Sequence, residues 1–159
     1  MLLKSREIPS AWCDVERKMS HYRNMTSSPG APTEPSRRRA IDVTEEEFEE
    51  LVSDGLDLVP SELMEQLDNV VFLVEEEPRP DQGDGGDLLG IYEGTPLTER
   101  DGWWASGSLP DAITIFRGPT LRHCDYADEV AEEVAVTVIH EIAHHFGISD
   151  EQLDELGWA

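Results

Sequence analysis

Cysteine is scarce: Cys13 and Cys124 are the only two in 159 residues, far apart and without repeated spacing. That excludes a disulfide framework and a cysteine-built zinc site. Positive charge is scarce too, with 12 Lys and Arg against 35 Asp and Glu and a net charge of −23. Such a chain repels phosphates, so nucleic acid and an anionic membrane are excluded as main partners. No apolar run approaches the roughly 18 residues of a spanning helix. Met1–Ser5 holds two leucines and no apolar h-region, so no secretory signal is read there. There are no internal repeats. A single soluble domain with a tail is expected, cytoplasmic and reduced, and long enough for a core of its own.

Charge divides the chain. Residues 1–40 carry eight basic and four acidic residues; residues 41–159 carry four basic and 31 acidic ones. Thr26–Arg39 (TSSPGAPTEPSRRR) is rich in Ser, Pro and Gly and has no apolar period. Residues 1–40 are therefore predicted to be a flexible basic arm, with Met25 as an alternative start, ahead of a folded domain over 41–159.

Regular structure is predicted from Ile41 onward. Thr44 and Glu47 form a capping box before Phe48, Leu51 and Val52, giving a helix to about Leu58. A short helix follows over Ser61–Leu67. Val70–Glu75, Leu88–Glu93 and Ala112–Arg117 read as strands. Between the first two, Asp81, Asp84 and Asp87 lack the bidentate Glu of a calcium loop and read as a solvated turn. Trp103 and Trp104 fall in the long connection Gly94–Pro110.

The last helix carries the chemistry. It is predicted to start at Asp125 and to run without Gly or Pro to Gly147, with Val130, Val134, Val138 and Ile142 as its apolar stripe. Its second half is apolar except at Thr137, His140, Glu141, His144 and His145, and ionisable groups in so apolar a setting are costly without partners. His140-Glu141-Ile142-Ala143-His144 is an H-E-x-x-H pattern. Four residues apart on a helix, both imidazoles share one face and reach a single ion. Glu141 is turned by about 100° from His140, placed to act on a water held by that ion. Zinc suits imidazole and carboxylate ligands with one open position. At this chain's composition the five-residue pattern is expected by chance about 0.02 times. Gly147 and Asp150 extend it to H-E-x-x-H-x-x-G-x-x-D; with Asp, Glu or His allowed at the last position, the extended pattern is expected roughly 0.0004 times. Gly147 can end the helix in a left-handed turn, and Asp150, at the start of a short helix after Ser149, can return an oxygen to the metal. His145 points away and is expected to bond within the fold; His123 is expected at the surface.

With this extended motif, Leu89–Arg100 and Leu109–Gly118, the chain from about Ile41 to Ala159 resembles the minimal zincin-like metallopeptidases. The resemblance implies an α+β fold: a small mixed sheet of about three to four strands packed on an active-site helix, with flanking helices. It implies His140, His144 and Asp150 as zinc ligands and Glu141 as catalytic base. Large zincins place a methionine turn beneath the metal. None of the nine residues after Asp150 is methionine, so support must come from elsewhere.

The function expected is hydrolysis of peptide bonds in a peptide or protein by a zinc-activated water, with Glu141 as general base. The strand before the helix, through Ile113, Thr114 and Ile115, is expected to align the substrate as a sheet edge. Tyr126, Arg117 and His123 are the candidate oxyanion donors. The alternatives are a zinc-stabilised binding module without turnover and a metal-dependent amidohydrolase acting on non-peptide substrates.

Overall fold

The computed structural model describes residues 11–26, 37–83, 88–100 and 109–155. Asp84, Asp87, Trp103, Trp104, the central part of the expected arm (27–36) and the last four residues lie outside them. Among the described residues six α-helices and three strands follow in the order α1 (Ala11–Thr26), α2 (Glu45–Asp57), α3 (Ser61–Met64), β1 (Val70–Glu75), β2 (Gly90–Glu93), β3 (Asp111–Phe116), α4 (Arg117–His123), α5 (Ala127–His145) and α6 (Asp150–Glu155). The fold is the small α+β arrangement expected, with a mixed three-stranded sheet in the order β1-β3-β2.

β3 lies in the middle, parallel to β1 and antiparallel to β2. Ile113 and Ile115, alternate residues of β3, are wholly buried on the face that meets α5, as strand periodicity requires. Val71 and Leu73 of β1 turn to the opposite face and remain exposed. α5 provides the other half of the core. Its Val130, Val134, Val138 and Ile142 stripe is completely buried, together with Ile139 and Ala143. α2 starts with the predicted capping box: Thr44 Oγ1 accepts from the Glu47 N–H and Glu47 from the Thr44 N–H. Phe48 and Val52 of α2 are buried in the same core.

Two expectations need correction. The segment before residue 40 is not simply a free arm, because residues 11–26 form a 16-residue helix. Trp12, Val15 and Met19, spaced three and four apart, are buried in the main core. Trp12 meets Phe146 at the end of α5 edge-on, with centroids 5.9 Å apart. The arginines that end the arm are also docked. Arg37 lies 3.9 Å above the Tyr126 ring and pairs with Asp128 at 2.6 Å, and Arg39 is bridged to Tyr126. These contacts tie the basic arm to the acidic first turn of α5, where positive charge is met by Asp128 and Glu129.

The second correction concerns helix starts. Tyr126, rather than Asp125, is the N-cap of α5, and the Glu129 carboxylate accepts from the N–H groups of both residues. Directly after β3 the chain folds into α4, which the sequence reading had not anticipated. Pro119 occupies the first turn of α4, where a missing N–H costs nothing.

Candidate metal centre

α5 ends at His145, and Gly147 turns the chain with φ of +79°. That left-handed conformation admits Gly without the penalty other residues carry. The N–H of Ile148 then closes on Ala143 C=O at 3.0 Å, and α6 begins at Asp150. Asp150 is thereby returned over the last turns of α5. Its Oδ1 lies 3.0 Å from His140 Nε2 and 3.2 Å from His144 Nε2.

This donor set fits a zinc ion. Tetrahedral zinc with bonds of about 2.0–2.1 Å keeps its ligand atoms about 3.3 Å apart, close to the 3.0 and 3.2 Å from Asp150 Oδ1 to the two imidazole nitrogens. The His144 ring is also oriented for ligation: Nδ1 is 3.0 Å from Ile148 C=O, so a proton there leaves Nε2 its lone pair. The two imidazoles stand almost perpendicular, with centroids 4.6 Å apart. Asp150 keeps 79% of its side-chain surface exposed, so the centre opens to solvent on that side.

Glu141 sits differently. It is buried, unlike Asp150, and one of its carboxylate oxygens lies within 4.8 Å of donor atoms on both His140 and His144. Burial pushes its pKa up to about 7, while His144 and the Tyr92 N–H act against that rise and Asp150 adds to it. β2 passes directly over this carboxylate. A Cβ on Gly90 would stand 2.7 Å from Thr137 Cγ2 and 3.1 Å from Glu141 Cγ, so the close approach needs glycine. Neither Gly90 nor Tyr92 was singled out by sequence reasoning. The available signal was a glycine inside a strand pattern, which marks a close backbone approach.

The other expected site residues are distributed less simply. His145 is wholly buried and points away from His140 and His144 toward β2 and β3, with its Nδ1 3.3 Å from Asp111 Oδ2. Ile113, Thr114 and Ile115 do not form an edge. The Phe116 N–H donates to Leu89 C=O at 2.8 Å, which sets the phase of the β2–β3 ladder. Thr114 therefore turns its main chain to β2, and Ile113 and Ile115 turn theirs to β1. With both sides of β3 paired, no strand can add there. The edge beside α5 is β2, where Gly90 and Tyr92 face away from β3 and no described strand pairs with them.

The candidate oxyanion donors are engaged elsewhere. Tyr126 caps the opposite end of α5, 14 residues and about 21 Å along the axis from His140. Arg117 binds Glu76 at 3.0 Å and Val43 C=O at 2.6 Å. His123 is exposed, 3.9 Å from Glu133.

A protein-family model described as zincin-like metallopeptidase matches residues 67–158. The match takes in the whole sheet, α5 and the Asp150 turn. No curated protein matches the chain. Among the described residues, no helix is long and apolar enough to cross a membrane.

Proposed function

The chain belongs to the zincin-like metallopeptidase family, and from that membership we propose that it hydrolyses peptide bonds with one zinc ion held by His140, His144 and Asp150. When bound, zinc supplies a Lewis acid for the scissile carbonyl and lowers the pKa of water. Glu141 takes the proton of the attacking water and passes a proton to the leaving amine. Its burial in an apolar wall, with a pKa pushed up to about 7, suits a group that must both accept and release a proton near neutrality. The observation that carries this reading is the convergence of Asp150 Oδ1 on both imidazole Nε2 atoms while Glu141 stays beside them.

The substrate class follows from the family: peptides or proteins. An extended peptide would add to β2, where the main-chain groups of Gly90 and the C=O of Tyr92 face the free side close to Glu141. This assigns to β2 the role expected of Ile113, Thr114 and Ile115.

The test compares the wild type with Glu141→Gln, each loaded with one equivalent of zinc, on a reduced and alkylated unfolded protein. Both should bind zinc, and cleavage by the variant should fall by about 10²–10⁴-fold. Equal cleavage by the two proteins would refute the assignment of the base. Zinc binding by both without cleavage by either would favour a zinc-stabilised binding module.

A further inference from the structure

Behind α5, on the side away from the metal ligands, four polar side chains meet in the core. Asp111, at the start of β3, is buried. Its Oδ2 accepts from the Tyr92 hydroxyl at 2.6 Å and from Arg100 Nη2. His145 presents Nδ1 at 3.3 Å from the same oxygen but out of line for a hydrogen bond. The His145 ring meets Tyr92 edge-on, with centroids 5.6 Å apart. A buried carboxylate is expensive unless several donors serve it, so this cluster is held in one arrangement.

Two connections lead from Asp111 to the metal centre. Tyr92 carries the first: its hydroxyl is anchored by Asp111 and so fixes β2, whose Gly90 stands so close to Glu141 that a Cβ there would lie 3.1 Å from Glu141 Cγ. Arg100 carries the second. Its Nε donates to Thr95 C=O at 2.9 Å, which closes the loop over residues 95–100. Within that loop Thr98 packs on the Gly147 turn so tightly that a Cβ on Gly147 would stand 2.3 Å from Thr98 Oγ1. Gly147 is the pivot that brings Asp150 back to the histidines.

We infer that Asp111 is a positioning residue for the metal centre, setting the place of β2 against Glu141 through Tyr92 and the Gly147–Asp150 turn through Arg100 and Thr98. Asp111 touches neither substrate nor metal. The inference deepens the proposed peptidase reading and rests on it for its catalytic consequence. Its structural half stands apart from turnover.

Tyr92→Phe removes one hydroxyl and keeps the ring, so it separates positioning from folding; Asp111→Asn keeps the volume and removes the charge. Two measurements apply to each. In metal-free protein, hydrogen exchange of the Phe116 amide, which donates to Leu89 C=O beside Gly90, should quicken by about tenfold in Tyr92→Phe, with the amides of Val134 and Val138 unchanged. In zinc-loaded protein, kcat should fall by about 10–100-fold, the usual cost of losing an outer partner, with KM within about twofold. Unchanged exchange of the Phe116 amide together with unchanged kcat in Tyr92→Phe would overturn the inference, even if melting temperature fell. Uniformly faster exchange across α5 would also overturn it, since Asp111 would then serve stability alone. If the wild type has no peptidase activity, the exchange result still decides the positioning role, and the functional reading fails separately. Should Asp111→Asn fail to fold, Tyr92→Phe supplies both readouts.

Discussion

Asp150 and Glu141 are both carboxylates near two imidazoles, yet their surroundings give them different work. Asp150 is mostly exposed and within 3.2 Å of both Nε2 atoms, the place of the proposed third ligand. Glu141 is buried under β2, where its protonation is easily shifted. Asp150→Asn keeps an oxygen and removes the charge. Zinc affinity, measured by chelator competition, should fall by more than about 100-fold, beyond the loss typical of an outer partner. Affinity equal to that of the wild type would remove Asp150 from the ligand set. Gly147→Ala forces a side chain into a left-handed conformation, at a cost of about 1–2 kcal/mol, and against Thr98 as well. Urea unfolding should show at least that loss, with weaker zinc binding because the turn carrying Asp150 is displaced.

The helices and strands differ in how plainly local sequence announces them. α5 was legible because an apolar stripe at helical spacing runs unbroken to a glycine, and the metal motif sits on it in fixed register. β1 and the capping box of α2 were legible for similarly local reasons. α1 was not: among its described side chains the buried ones are Trp12, Val15 and Met19, in a helix otherwise mostly charged and polar, next to a Pro-rich stretch that reads as a tether. The central place of β3 was hidden as well, because strand order comes from pairing between distant segments that no local pattern encodes. The same holds for Tyr92, Arg100 and Asp111, whose meeting depends on that order. Trp12 gives the sharpest test that α1 belongs to the core. Trp12→Ala should destabilise the protein by about 3–5 kcal/mol in urea unfolding, as expected for a large buried ring. A change below about 0.5 kcal/mol, the size of a surface substitution, would show α1 to be dispensable.

Across the chain the dominant long-range effect is self-repulsion from a net charge of −23. Surface ion pairs such as Arg38–Glu47 relieve it locally and are individually weak. Arg38 and the Thr44 N–H hold the Glu47 carboxyl down at about 2. Because this folded value lies below the ordinary one, the contribution is complete above about pH 4.5 and fades as pH falls through 2. Glu47→Gln should therefore narrow the difference in urea midpoint between about pH 5 and pH 2.5; an undiminished difference would place the acid sensitivity elsewhere. Raising salt from about 0.02 to 0.3 M should raise the wild-type midpoint by screening like charges, and a fall would contradict a repulsion-dominated surface. The proposed centre brings His140, Glu141, His144 and Asp150 together at one end of α5. The most direct test is anomalous diffraction at the zinc edge from crystals grown with one equivalent of zinc. A single peak should appear bonded to His140 Nε2, His144 Nε2 and an Asp150 carboxylate oxygen, with Glu141 beside it and not bonded. A map with no peak between the histidines, or one with Asp150 turned away from the metal, would contradict the account.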